Sequence, residues 1–584
     1  MGATNLIDFK RLLLYFMKLK VSVCVAVTAI RLWLLKVAER AGVDALEFQA
    51  LLVGLLGGLS AALFRAAELD IRWLTEGTCQ DLIDYARQLT PGFRILIPTL
   101  GGLIAGGFLW LSQRGVQLRT VIDYLEAIRL QNGRIPLIAS LARTLSSLTS
   151  ITSGASIGRE GGMVQLSAAT ASLLGRVMRL NPIRLRLLVA CGAAAGVSSA
   201  YNTPLAATLF IAEVVLGTMT IDILSPLMIA SVSAAVLSRE WLGIRPLFEV
   251  PDFATQIEIP VQNALALGVL AGLVAPLFLI TLQMTRGLFM NIRFPPLQLA
   301  LGGFLVGLLS LRVPEVWGNG HAVVAQILDG QMLLPTVAAI FLFKALATAA
   351  SFGSGTVGGI QTPTLTLGAC LGWLFSQLVE GCAQQSIAYA ALGMGALLAG
   401  TTLAPIMAIV MIFEMTLDAA LFFPLIISAY LAQHLAAAIR PLSVYDKKTL
   451  SDNHPNPMNL IVGDIASPPG ARIDPAETMG DLFSRHWWRG PTRLWVCDPN
   501  GHYLGCVTLS EVARAVRQGR DEVQAAEVLH KLPSVGEETP LLALLPSSPR
   551  RHKTPRLPVT DHQGFLSGEL SPRDVLLALN AHLT

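Results

Sequence analysis

Charge is what this sequence has least of. Of its 584 residues, 14% are Asp, Glu, Lys or Arg and 53% are hydrophobic, against about 25% charged in an ordinary soluble domain. A soluble monomer is thereby excluded. The formal net charge is only +4 and no run of Lys or Arg forms a basic patch, which excludes nucleic acid as a partner. The seven cysteines (Cys24, Cys79, Cys191, Cys370, Cys382, Cys497, Cys506) include no Cys-x-x-Cys pair and no His at ligand spacing. They suggest neither a zinc site nor a disulfide framework and read as packing residues. A secretory signal is lacking too, because the apolar stretch Leu12–Met17 is short and no small-residue cleavage pattern follows it. With Lys10, Arg11, Lys18 and Lys20 around it, it predicts an interfacial helix within residues 1–50, on the cytoplasmic side.

What is present is apolar sequence in blocks. Leu51–Phe64, Ile95–Ser112, Ile223–Leu237, Leu265–Leu282, Leu297–Leu309 and Leu421–Ala438 contain no charged residue and read as membrane helices. From residue 446 onward, 31 of 139 residues are charged, against 51 of the preceding 445. A membrane body over 51–445 followed by a water-soluble domain over 446–584 is expected. Many of the apolar runs are shorter than the ~20 residues of a bilayer span and are broken by Gly and Pro. Backbone that leaves the helix at membrane depth must line a cavity or be buried in protein, and broken helices point to a transport site.

An internal repeat reinforces this. Gly192–Gly196, Pro204 and Glu213 recur as Gly395–Gly400, Pro405 and Glu414, the Pro and the Glu both offset by 201 residues. About 200 residues also separate Gly158-Arg-Glu-Gly161 from Gly358-Gly-Ile-Gln-Thr-Pro363. Two related halves, about 50–240 and 260–438, follow. Small residues recur in any membrane bundle, but the shared Pro-to-Glu spacing favours a true repeat. Thr203-Pro204, Thr362-Pro363 and Ala404-Pro405 place proline where a helix starts. A start inside the bilayer aims free N–H groups and the positive dipole end at one point, which attracts an anion. Arg159 is the only cation from Ser156 to Thr170, and none lies between Ser351 and Gln377, so an anion held there by partial charges is free to leave again. Glu160, an acid beside such a start, is a functional residue by default; the alternative is an Arg159–Glu160 pair at an aqueous surface.

Gly158-Arg-Glu-Gly161, Gly353-Ser-Gly355 with Gly358–Pro363, and Gly192–Glu213 with Asn202-Thr-Pro204 and Phe210-Ile-Ala-Glu213 closely resemble the ClC chloride channel and chloride/proton antiporter family. The resemblance covers nearly the whole chain. It implies an all-α polytopic membrane protein of the inverted-repeat type, a homodimer with one anion pathway per subunit, and chloride or similar monovalent anions as the transported ligand. It makes Glu160 the gating glutamate, responsive to voltage or pH, with Gly158, Arg159 and Gly161 around it and the backbone N–H groups of Gly359, Ile360 and Gln361 at the central anion. It also implies a multi-pass protein of the inner or plasma membrane, both termini cytoplasmic, with no cofactor and no enzymatic activity.

The departures from the family pattern are specific. Gly162 follows Gly161 where proline is common, and Gln361 stands where phenylalanine is usual. The Gly-Ser-Gly-Ile-Pro element is not recognisable; Arg119 or Thr120 falls where its serine faces the anion. For the pore tyrosine, Tyr445 is nearest, while aligning Arg440-Pro-Leu442 selects Ser443. Val214 follows Glu213 where proton-coupled members carry an acid; valine cannot titrate, which favours a conductive pathway over an antiporter.

The tail repeats itself with an offset of 63: Arg493-Leu-Trp-Val-Cys-Asp498, Gly501, Gly505 and Val512 match Arg556-Leu-Pro-Val-Thr-Asp561, Gly564, Gly568 and Val575. Each copy reads as strand, Gly turn, strand and a helix opened by Thr508/Glu511 or Ser571/Asp574, the form of a capping box. This resembles a pair of α/β CBS domains, in some of which the hydroxyl and the acid hold the ribose of an adenine nucleotide; helix capping alone is the competing reading. Two other function classes fit the sequence less well. A membrane-embedded enzyme using Glu160, Glu213 and Glu414 finds no nucleophile, metal constellation or phosphate loop in the sequence, and a degenerate sensor is disfavoured by the intact Gly-Arg-Glu-Gly element.

Overall fold

The computed structural model describes residues 45–445 apart from 77–80, 116–122, 131–132, 243–258, 330–331 and 380–382, and residues 461–571 apart from 467–468, 487–492, 541–542 and 544–555. Of the expected interfacial helix, residues 1–44 lie outside the described residues. Two compact units separate. One comprises Ala50–Leu173 and Arg186–Asn453; the other gathers the described residues up to Gln49, Leu174–Leu185 and the described residues of the tail.

Seven helices among the described residues are long and apolar enough to cross a membrane: Leu46–Thr75, Pro91–Gln113, Pro182–Tyr201, Ile221–Glu240, Val261–Phe289, Leu334–Gly353 and Ala419–Ile439. Five of the six apolar runs fall inside these. The sixth, Leu297–Leu309, lies in the 16-residue helix Pro295–Ser310, about 24 Å long at 1.5 Å per residue and too short to span. Prolines at its start set its beginning, and its glycines Gly303 and Gly307 press against the backbone of Pro98 and Ile95, the close approach that small residues permit between membrane helices. Two spans were not among the apolar runs. Pro182–Tyr201 is diluted by Arg184, Arg186 and small residues, and is the most enclosed of the seven. Leu334–Gly353 is interrupted by Lys344, fully buried, whose Nζ donates to the carbonyls of Val316 (3.0 Å) and Gly318 (2.7 Å).

The repeat is real in backbone geometry. Asn202 (φ 58°) and Leu403 (φ 56°) both take the left-handed conformation that side chains usually avoid. The following residues, Thr203 (φ −124°, ψ 80°) and Ala404 (φ −123°, ψ 79°), cap the Pro204–Phe210 and Pro405–Thr416 helices with the same angles. Gly154 (φ 97°) and Gly355 (φ 82°) end the Leu137–Thr152 and Leu334–Gly353 helices in the same way. The two Gly-rich breaks then meet each other. Gly158 N–H donates to Gly359 O and Gly359 N–H to Gly158 O, both at 2.8 Å, with the matched pair again 201 apart.

In the second unit, β1 (Arg472–Ile473) runs parallel to β2 (Arg493–Cys497), which pairs antiparallel with β3 (Tyr503–Thr508). The pattern repeats with β4 (Val535–Gly536), β5 (Leu557–Thr560) and β6 (Leu566–Leu570). Gly501 (φ 97°) and Gly564 (φ 86°) form the two turns. The turns bond to each other, Tyr503 N–H to Gly564 O at 3.1 Å and Leu566 N–H to Gly501 O at 3.2 Å, and His502 stacks on Phe565 at 4.2 Å. Leu494, Val496, Val507 and Val512 form the core of the first copy; Val559 and Leu570 pack with Val462, Ile465 and Ile183 in the second. Each copy therefore adds a two-residue strand, too short for period-2 alternation to reveal, to the hairpin expected from sequence.

Candidate functional site

Glu160 is the first residue of the Glu160–Val177 helix and is 4% exposed. Gln361 begins the Gln361–Val379 helix at the matched position. Because Gly158 and Gly359 bridge the two starts, the Glu160 side chain reaches across to the opposite helix. Its Oε1 accepts from Thr362 N–H (3.3 Å) and its Oε2 from the Thr362 hydroxyl (3.1 Å). A carboxylate on a helix N-terminus is favoured by the free N–H groups and the dipole. Both bonds lie just beyond the ordinary range for their type. The carboxylate nests where no side chain exists: a Cβ on either Gly158 or Gly359 would overlap it. Gly161 presses against the Gly358 backbone in the same way, so three glycines are needed for closeness.

Aromatic hydroxyls surround this point. Tyr201, 2% exposed, hydrogen-bonds Thr362 Oγ1 at 3.0 Å. Tyr124, Tyr201 and Tyr445 all lie within electrostatic range of Glu160, and the Tyr445 ring meets Phe210 edge-on at 5.3 Å. Arg129 fixes the end of the π-helical turn Ile211–Leu216: its guanidinium donates to Val214 O, to Val215 O (3.2 Å) and to Tyr445 O (3.4 Å). The Val214 side chain offers no proton, and its carbonyl is held by a fixed cation.

The geometry gives each of the expected site residues a particular place. The Gly359 N–H is not free for an anion, since Gly158 O takes it; the N–H used at this helix start is that of Thr362. Arg159 pairs with buried Glu68 (3.8 Å) and not with Glu160. Ile360 is buried among Ala275, Phe278, Leu279 and Leu367, an apolar packing role for its side chain. Gln361 is 3% exposed and its Nε2 has no hydrogen-bond partner among the described residues. Of the two tyrosine-position candidates, Tyr445 approaches Glu160, while Ser443 Oγ accepts from Tyr445 N–H at 3.2 Å. Arg119 and Thr120 lie outside the described residues.

The other two proline starts are already occupied. Glu414 Oε1 and Oε2 accept from Leu205 N–H (2.9 Å) and Ala206 N–H (2.8 Å), at the start of Pro204–Phe210. Reciprocally, Glu213 Oε2 accepts from Met407 N–H (2.9 Å), at the start of Pro405–Thr416. Each half caps the other's helix. The expected convergence of anion-attracting N-termini at all three proline starts therefore reduces to the one at Gln361-Thr362-Pro363, and Glu213 and Glu414 are helix caps. Thr362 is legible in sequence only as the residue before a helix-starting proline, and Tyr201 and Arg129 not at all, since a helical tyrosine and an isolated arginine carry no pattern of their own.

In the tail, Thr508 and Glu511 satisfy each other. Thr508 Oγ1 donates to Glu511 Oε2 (2.7 Å), Glu511 N–H donates to Thr508 Oγ1 (3.3 Å), Thr508 N–H donates to Glu511 Oε2 (2.9 Å), and His530 Nε2 lies 2.7 Å from Glu511 Oε1. Burial pushes the Glu511 carboxyl up, but the Thr508 and His530 hydrogen bonds outweigh it and hold it below its ordinary value. This is a complete capping box at the Leu509–Arg517 helix. Ser571 follows β6, and Asp574 lies outside the described residues.

Comparison with known proteins agrees with the architecture. Residues 101–437 match the family model described as voltage gated chloride channel. A chloride channel protein described as ClcB-like, from Ralstonia nicotianae, is 44% identical over 70% of this chain and 97% of its own length. The voltage-gated ClC-type chloride channel ClcB of Citrobacter koseri is 39% identical over 68% and 98%. Among solved structures, a slow cyanobacterial Cl−/H+ antiporter shares the fold with a TM-score of 0.60 at 24% identity, over 68% of this chain and 96% of that one. A eukaryotic CLC transporter does so with a TM-score of 0.56 at 18% identity, over 93% and 98%. This multi-pass membrane protein belongs to the voltage gated chloride channel family.

Proposed function

We propose that the chain moves chloride and similar monovalent anions across the inner or plasma membrane as a homodimer, one pathway per subunit, with Glu160 as the gate and no enzymatic chemistry. The observation that carries this reading is the seat of the Glu160 carboxylate. A negative group rests on the N-terminal donors of the Gln361–Val379 helix through two long hydrogen bonds from Thr362. Donors that hold a carboxylate loosely also receive a chloride once that carboxylate is protonated or displaced, and weak holding is what throughput requires.

The pathway is conductive rather than proton-coupled. Val214 cannot relay a proton, its carbonyl is engaged by Arg129, and the neighbouring Glu213 is committed to capping Met407. The curated relatives carry the name channel, whereas the solved neighbours titled antiporters are at or below 24% identity and bear on fold alone. Chloride efflux from proteoliposomes tests transport, and a pH dye tests coupling. Fast efflux with little uphill proton movement is expected; stoichiometric proton uptake driven by a chloride gradient restores the antiporter.

The tail is a CBS pair in this reading, both termini cytoplasmic. Its first hydroxyl–acid pair is consumed in a capping box, which favours a structural or protein-contacting module over an adenine-nucleotide site. A rise in the melting temperature of the full-length protein with millimolar ATP reverses that choice.

A further inference from the structure

We propose that Tyr201 and Thr362 form a hydrogen-bonded latch on the Glu160 gate, positioning residues that set how readily the carboxylate leaves the pathway. This deepens the reading of Glu160 as the gate and rests on it. Thr362 has one hydroxyl hydrogen, and the contact to Glu160 Oε2 at 3.1 Å uses it. The Tyr201 phenol, 3.0 Å from Thr362 Oγ1 and also in hydrogen-bonding reach of Glu160 itself, is therefore the donor in this cluster. The result is a directed chain, Tyr201 O–H to Thr362 O–H to Glu160 carboxylate, in which each bond polarises the next. Both residues are 2% exposed, so no bulk water replaces a lost partner.

The other groups near Glu160 are committed elsewhere or lack a hydrogen bond to it. Arg159 pairs with Glu68 and Asp123 with Arg143 (3.7 Å); Arg129 holds the carbonyls of Val214, Val215 and Tyr445. Tyr124, from the Tyr124–Leu130 helix, and Tyr445, after the last membrane helix, act on Glu160 electrostatically. The latch spans the repeat, tying the end of Pro182–Tyr201 in one half to the start of Gln361–Val379 in the other. Donors to a carboxylate favour its charged form, so the latch favours the seated, blocking state.

The test is chloride efflux from liposomes against pH, for the full-length protein and its variants. Thr362→Val keeps the shape and removes the hydroxyl. It should shift the pH of half-maximal flux upward by roughly one to two units, the size of a hydrogen bond to a charged group. Thr362→Ser should restore the midpoint, and Tyr201→Phe should shift it the same way by less. In the Glu160→Gln background both Thr362→Val and Tyr201→Phe should leave the pH profile unchanged, because a latch without its gate has nothing to hold. If Glu160→Gln removes pH dependence while neither Thr362→Val nor Tyr201→Phe moves the midpoint, the latch is wrong and the gate stands. A shift that persists in the Glu160→Gln background also overturns it. A wild-type pH profile in Glu160→Gln removes the gate and the latch together.

Discussion

The membrane body uses the same device, a carboxylate from one half set on a helix N-terminus of the other, in two places and to opposite effect. At the Pro204 and Pro405 starts the arrangement is symmetric and tight: Glu414 and Glu213 each cap the opposite helix at 2.8–2.9 Å. At the Glu160 and Gln361 starts it is asymmetric and loose. Glu160 crosses to Thr362 at 3.1–3.3 Å, while its counterpart 201 residues later, Gln361, is an amide with a buried Nε2 that is unpartnered among the described residues. The lesson is that an intramembrane acid is not functional by type. A carboxylate seated on short, strong donors is a structural cap, and one seated on long hydrogen bonds can be exchanged for an anion.

Glu160→Gln attacks that comparison most directly and carries the largest expected effect. An amide keeps the shape without the charge, so chloride efflux should become nearly independent of pH. Retention of the wild-type profile would place Glu160 with the caps. Gly158→Ala should act in the same direction by a smaller amount. Its Cβ would collide with the carboxylate, the mobile end of a flexible side chain, rather than with backbone, and Gly158 has no left-handed φ to protect. Raised flux at neutral pH in a protein that elutes normally in detergent is the expected outcome; wild-type flux would show that the nest is not needed for closure.

The caps should respond differently. Glu414→Ala leaves the Leu205 and Ala206 N–H groups without acceptors, a cost of about 2 kcal/mol in stability, and thermal melting in detergent should show it. Flux through the folded fraction should keep its pH dependence. A Glu414→Ala protein that melts normally but loses pH dependence would erase the distinction between the two kinds of start.

Much of this was legible in sequence because it is written in spacing. The 201-residue offset of Pro204/Pro405 and Glu213/Glu414 announced the repeat, and the 63-residue offset announced the two tail hairpins. What spacing cannot carry is who bonds whom across halves. Glu213 and Glu414 read as three-way candidates with Glu160 because capping of a helix 200 residues away leaves no local trace. The spans Pro182–Tyr201 and Leu334–Gly353 were hidden for a related reason: Arg186 donates to the Ile128 carbonyl (2.7 Å) and Lys344 to two carbonyls, so their cations are satisfied by partners that hydropathy does not see.

The smallest effect expected is in the tail, where the same motif of an acid at a helix start appears in water-soluble form. Thr508→Ala removes one side of the capping box at Leu509–Arg517 and should cost about 1 kcal/mol, read as roughly fivefold faster amide exchange over residues 509–517 of the full-length protein. Glu511 adds a pH dependence of known sign. Its carboxyl is held below the ordinary value, so its contribution is complete above the usual carboxylate range, near pH 4–5, and is lost as pH falls through the folded value. Glu511→Gln should therefore lower protection at neutral pH by about the amount the wild type loses on acidification, and abolish that further loss. Unchanged exchange in both variants would mean that this helix is held by its packing through Val512 and Ala513 and that the box is incidental. An acid-sensitive wild type with an acid-insensitive Glu511→Gln would instead make the tail a third case: a carboxylate seated on helix donors, fully satisfied as Glu414 is, yet titratable because solvent reaches it.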